Sequence, residues 1–149
     1  MNNINMFEIK FCAVADNEAF ARHVVGEFLL LANPTIEELE DVKTAVTEAV
    51  TNAIVHGYDG KEGLVTLCCS INDKSLEIIV SDNGRGIENV ELAKEPFYTT
   101  RQDDDHSGMG FTLMSSFMDS LDVRSNVGNG TTVIMTKIFS QEEDNARAQ

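Results

Sequence analysis

Three observations predict an α+β two-layer sandwich, with helices on one face of a mixed, mostly antiparallel sheet. Short apolar runs are joined by turn residues as hairpins, two helical segments lie together early in the chain, and a third separates the hairpins. Helices gathered apart from hairpin-linked strands bury their apolar stripes against a single sheet face. With 149 residues and 42% hydrophobic content, the chain reads as one domain over residues 1–140, followed by a polar, disordered tail at 141–149.

The elements follow in order. "FEIKFCAV" alternates, with Phe7, Ile9 and Phe11 on one face, as a first strand does. Asp16 caps a helix running to about Leu31, where "ANP" stops it. Thr35 with Glu38 three residues later forms a capping box for a long second helix. Val42, Ala45, Val46, Ala49, Val50, Ala53 and Ile54 recur there with the 3.6-residue period, and the helix ends near Gly57, before the turn material "YDGKEG". "LVTLCCSI" and "SLEIIVSD" are strands joined by "NDKS". A polar stretch from Asn83 to Ser107, containing the acidic run Asp103 to Asp105, has no evident structure of its own, and long loops of this kind in compact domains are usually functional or disordered. "GFTLMSSFMDSL" then forms a helix, and "DVRSNV" pairs with "TTVIMTKIF" across "GNG".

Composition excludes several classes. A net charge of −14, with eleven basic residues scattered along the chain, argues against a nucleic-acid surface, which needs clustered Lys and Arg. An anionic ligand would have to be held by backbone amides or a metal, and a basic protein partner suits such a surface. The longest apolar run, "FLLLA", falls far short of a membrane span. The first residues lack the basic and apolar regions of a secretory signal. Three cysteines, Cys12, Cys68 and Cys69, are an odd number without zinc spacing. A reduced, cytoplasmic protein is expected.

Three segments carry chemistry. In "EAVTNAIVHGY", the residues Glu48, Asn52 and His56 lie four apart, and each such step advances about 40° beyond a full turn, giving a slanting polar stripe beside the apolar face. That placement costs burial energy unless the stripe meets something polar. The Asn52 carbonyl oxygen suits Mg²⁺, and Glu48, one turn earlier, could take a proton from a nucleophile beside a metal–phosphate site. A solvated glutamate and a helix–loop hydrogen bond are the plainer readings, and His56 is read as fixing the helix end. In "SDNGRGI", Gly84 and Gly86 let backbone approach a flat ligand, and Asp82 could accept a hydrogen bond from an exocyclic amine such as that of adenine. Taken alone, "DNG" is more simply an ordinary turn after a strand. In "SGMGF", Gly108 and Gly110 expose N–H groups at a helix start, a ready anion site. The segment is neither a Rossmann fingerprint nor a P-loop.

Taken together, "EAVTNAIVHGY", "DNGRGI", "SGMGF" and the late "GTT" resemble, in order, the boxes of the GHKL ATPase superfamily, and most closely its anti-sigma factor serine kinases. The resemblance spans Phe7 to Phe139. It implies a Bergerat-type ATP-binding fold with an ATP lid, Asn52 coordinating Mg²⁺, and Glu48 as general base. It further implies that Asp82 binds the adenine amine with Gly86 close to the ring, Gly84 belonging to the same cofactor-binding loop. Gly108, Met109 and Gly110 would hold the phosphates through backbone amides, and Thr131, with Thr132 beside it, would support the adenine contact. Thr99, Thr100 and Arg101 would lie in the lid. This chain has His106 where related kinases often place a basic residue before "SGMGF".

The implied activity is transfer of phosphate from Mg·ATP to a serine of an anti-anti-sigma factor. The implied binding activity is retention of a sigma factor by a homodimer, in the regulation of sporulation. Apart from the resemblance, Arg22, a basic residue beside Phe20 and Val24 on a very acidic chain, could anchor a partner, and an exposed helix arginine is the plainer reading. A non-catalytic nucleotide-gated binding module is the alternative. A histidine kinase would need a phosphoaccepting helical hairpin, for which Met1 to Phe7 leaves no room, and gyrase- or Hsp90-type machinery would need further domains.

Overall fold

A computed structural model describes residues 4–96 and 109–140. The elements are β1 (Ile4–Cys12), α1 (Asp16–Leu29), a 3₁₀ turn (Leu30–Ala32), α2 (Ile36–Thr51), a π-helical turn (Asn52–Tyr58), β2 (Leu64–Asn72), β3 (Ser75–Asp82), α3 (Val90–Ala93), α4 (Gly110–Phe117), β4 (Ser120–Ser125) and β5 (Thr131–Ile138). The five strands form one sheet in the order β1-β2-β3-β5-β4. All four pairings are antiparallel, so the mostly antiparallel sheet expected is present without a parallel pair among the described residues.

Strict alternation decides which face is covered. Val65, Leu67, Cys69 and Ile71 of β2 are buried, as are Leu76, Ile78 and Val80 of β3, while the residues between them remain partly exposed. Onto this face α2 presents Val42, Ala45, Val46, Ala49 and Val50, all essentially inaccessible. Alanines at two of these positions bring the helix close to the strands, and α1 and α4 pack on its two sides. Each large aliphatic side chain so buried contributes about 1.5–3 kcal/mol. The same parity explains two adjacent cysteines that do not pair. Cys69 faces the core and Cys68 the opposite face, and both are free thiols. Burial pushes both thiols up, and Glu8 and Glu77 add to the effect at Cys68.

The capping box at the start of α2 is formed as expected. Thr35 Oγ1 accepts from the Glu38 N–H at 3.1 Å, and Glu38 Oε1 accepts from the Thr35 N–H at 2.8 Å. The second carboxylate oxygen accepts from the Ser140 N–H at 2.7 Å, tying the end of the sheet to the start of the central helix. Glu38→Ala is therefore expected to lower stability by about 1–2 kcal/mol, read as the shift in a urea unfolding midpoint. A change below about 0.3 kcal/mol would show that water replaces both bonds.

Some boundaries move. β1 begins before Phe7 and ends at Cys12, and α4 stops at Phe117 because β4 already starts at Ser120. The long loop contains a one-turn helix, α3, whose Leu92 N–H is capped by the Asn89 side chain. The tail, residues 141–149, lies outside the described residues.

Candidate functional site

The stripe on α2 and the two glycine segments converge on one cavity of about 1100 Å³. Glu48, Asn52 and His56 form one wall, Asp82 and Thr131 another, and Met109 and Gly110 a third. Asn52 is the residue at which α2 gives way to the π-helical turn. Such turns are frequent at functional sites. Here the widened turn carries Gly57 and Tyr58 against the loop after β3. The Gly57 carbonyl accepts from the Arg85 N–H at 2.9 Å, and the Tyr58 hydroxyl bridges two strands, donating to the Leu64 carbonyl at 2.6 Å and accepting from the Asn83 N–H at 2.8 Å.

Asp82 ends β3 with only 8% exposure. One carboxylate oxygen accepts from the Gly84 N–H at 2.8 Å. Burial raises its pKa above the ordinary carboxylate value, while the Gly84 and Thr131 backbone donors pull the other way. The result is a buried acceptor at the edge of the cavity, held in place by its own loop. Gly84 lies behind it: a Cβ there would fall 2.1 Å from the Gly57 carbonyl oxygen. Gly86 adopts φ +76°, and a Cβ would meet the Asn126 carbonyl oxygen at 2.1 Å. Both positions require glycine, for contact in one case and for backbone conformation as well in the other.

At the far wall, α4 begins at Gly110, with no side-chain cap among the described residues. Met109, Gly110 and Phe111 at this start line the cavity, at the end of the helix where N–H groups lack intrahelical partners and the dipole is positive. A methyl group on Gly110 would come within 3.2 Å of Asn52 Nδ2 and 3.3 Å of Glu48 Oε2, so the helix start and the two polar residues are neighbours. Among the described residues no group of three His, Cys, Asp or Glu side chains could hold a metal alone. Asn52 and Glu48 supply hard oxygen donors, which fits Mg²⁺, an ion commonly bound by one or two protein oxygens together with substrate phosphates and water.

Several expected residues fall elsewhere. Thr132 pairs with Ser81 on the opposite face of the sheet, their hydroxyls 3.2 Å apart, and does not line the cavity. Strand alternation lets only one of two adjacent threonines face inward, and it is Thr131. Arg22, expected as a partner anchor on the first helix and not as a cavity residue, is half-exposed on α1. Gly108, Thr99, Thr100, Arg101, His106 and the run Asp103 to Asp105 lie outside the described residues. His56, read as fixing the helix end, also lines the cavity. Sequence reasoning passed over Arg85, on the cavity wall, and Ser125, whose hydroxyl accepts from the Ile87 N–H at 2.7 Å and lies 2.8 Å from the Thr131 hydroxyl.

The histidine kinase-like ATPase domain model matches residues 12–137. An anti-sigma F factor of Clostridium acetobutylicum is 55% identical over 140 residues, covering 94% of this chain and 98% of that protein. The chain belongs to the histidine kinase-like, or GHKL, ATPase family, in its anti-sigma F factor group. A second such factor, from a Thermoanaerobacter species, is 48% identical over 143 residues, covering 96% of this chain and 100% of its own. Among solved structures, the RsbU and RsbW domains of a Mycobacterium tuberculosis protein superpose with a TM-score of 0.66 at 18% identity, over 91% of this chain and 32% of that one. The catalytic domain of the histidine kinase ThkA gives 0.57 at 16%, over 91% and 96%. At those identities the likeness concerns the fold, and it is the fold expected from the four motifs. No helix among the described residues is long and apolar enough to cross a membrane.

Proposed function

We propose that this chain is a cytoplasmic anti-sigma factor and protein-serine kinase. On this reading it binds Mg·ATP, holds a sigma factor inactive as a homodimer, and phosphorylates a serine of an anti-anti-sigma partner during sporulation. The observation that carries the reading is one cavity lined by a buried carboxylate acceptor, Asp82, by Glu48 and Asn52, and by the start of α4 at Met109 and Gly110. Relatives that match nearly end to end and bear the name anti-sigma F factor supply the sigma-factor partner.

The roles follow from chemistry. Asp82 accepts from the adenine amine, with Gly86 keeping the loop close to the ring and Thr131, its partner on the neighbouring strand, supporting that contact. Backbone N–H groups at Met109 and Gly110 hold phosphate oxygens. Asn52 ligates the metal, which when bound neutralises phosphate charge. Glu48 accepts the proton of the attacking serine hydroxyl. Phosphoryl transfer needs mainly positioning and charge stabilisation, which this arrangement provides.

The direct test incubates the purified protein with γ-labelled ATP and Mg²⁺ in lysate of its own cell and identifies labelled species by mass spectrometry. One small protein labelled on serine is the expected result. Bound ATP without any transferred label would overturn the kinase assignment in favour of a nucleotide-gated binding module. Label on a histidine of this chain would overturn it in favour of the histidine kinase branch.

A further inference from the structure

We infer that Arg85 is a specificity-determining residue of this cavity, the cation that makes it favour a nucleotide polyanion over the uncharged nucleoside. The inference rests on the nucleotide-binding reading. It starts from how tightly the loop around Arg85 is held. Its N–H donates to the Gly57 carbonyl, and its own carbonyl accepts from the Gly128 N–H at 2.8 Å. The residues on either side are glycines pressed against backbone, at Gly57 and Asn126 respectively. Arg85 is thus the one position of Gly84–Arg85–Gly86 with a side chain, carried on a backbone fixed from two directions.

Arg85 lines the cavity, and among the described residues it is the only Lys or Arg that does. Four carboxylates, Glu48, Asp82, Glu88 and Glu91, line the same space in a chain of net charge −14. Such a field repels a triphosphate and is indifferent to a neutral nucleoside. A guanidinium in the cavity offsets that repulsion, and its planar fork suits phosphate oxygens. Asp82 cannot discriminate between the two ligands, because both carry the same base. Arg85 can, because its charge acts only on the ligand that is itself charged. Arg85 is exposed, so water and salt reach the interaction, which makes it moderate in size and sensitive to ionic strength.

The bonds of Arg85 to Gly57 and Gly128 are backbone bonds, so Arg85→Ala and Arg85→Lys leave those two in place; circular dichroism and thermal unfolding verify the fold. Wild type and both variants are titrated with ATP and with adenosine by calorimetry, at constant Mg²⁺ and at two salt concentrations. Arg85→Ala is expected to weaken ATP binding about three- to fivefold, to change adenosine binding less than about 1.5-fold, and to flatten the salt dependence for ATP. Arg85→Lys is expected to retain most of the preference, since it keeps the charge. Equal losses for both ligands, or none for either, would overturn the inference while leaving the nucleotide site standing. Wild type that binds neither ligand would instead sink the nucleotide reading itself.

Discussion

Replacing Glu48 with glutamine is expected to leave ATP affinity within about threefold of wild type while phosphoryl transfer falls about 100- to 10,000-fold, the range associated with a positioned general base. Glu48 lies on the last full turn of α2, one turn before Asn52, and shares the cavity wall with it. Glutamine keeps the length and one carbonyl oxygen of the side chain, so contacts to the start of α4 survive. What it loses is the ability to accept a proton. Retained binding with lost transfer therefore separates proton acceptance from nucleotide positioning, provided affinity is measured by calorimetry and transfer by label incorporated into serine. Transfer within about tenfold of wild type would remove Glu48 from the base role. A parallel loss of affinity would mean that its charge serves to hold the metal–phosphate group rather than to receive a proton.

The site was legible where a local rule and the tertiary structure agree. Glu48 and Asn52 could be read because a helix places residues four apart on one edge, and the capping box at Thr35 and Glu38 sets the start of that helix. Asp82 could be read because it closes an alternating strand on its buried parity. Thr132 was misplaced because a motif names both threonines while the pleat admits one, a choice fixed by the pairing of Asp82 with Thr131. The π-helical turn escaped because nothing in "NAIVHGY" forces a wider turn. Contacts made by Gly57 and Tyr58 to the loop after β3 accompany it, and those are tertiary. α3 escaped because four residues are too few to show a period, and only the Asn89 cap marks it. Arg85 escaped because its importance depends on which charges surround it, and the cavity brings Glu48, Glu88 and Glu91 together from separate segments of the chain.

Asp82→Asn is expected to weaken adenine-nucleotide binding about 100-fold or more, the cost of turning a buried acceptor into a group that presents a donor to a donor. The Gly84 N–H already holds one Asp82 oxygen. In the variant that donor holds the amide oxygen and leaves the NH₂ facing the adenine amine. The unliganded protein should not suffer. Folding raises the Asp82 pKa, so the folded state favours the protonated form. The corresponding stability is fully present below the ordinary carboxylate pKa of about 3.9 and is lost as pH rises through the raised folded value. At neutral pH the wild type therefore carries the cost of a buried charge that asparagine removes, and the unliganded variant should unfold at an equal or higher temperature. ATP affinity of the wild type should decline on acidification starting above the usual carboxylate range, as its acceptor is protonated, and the variant should lack that step. Calorimetric titration across pH, with thermal unfolding of the unliganded proteins, checks all three outcomes. A variant that binds ATP within about threefold of wild type, with the acid step intact, would show that another group reads the base.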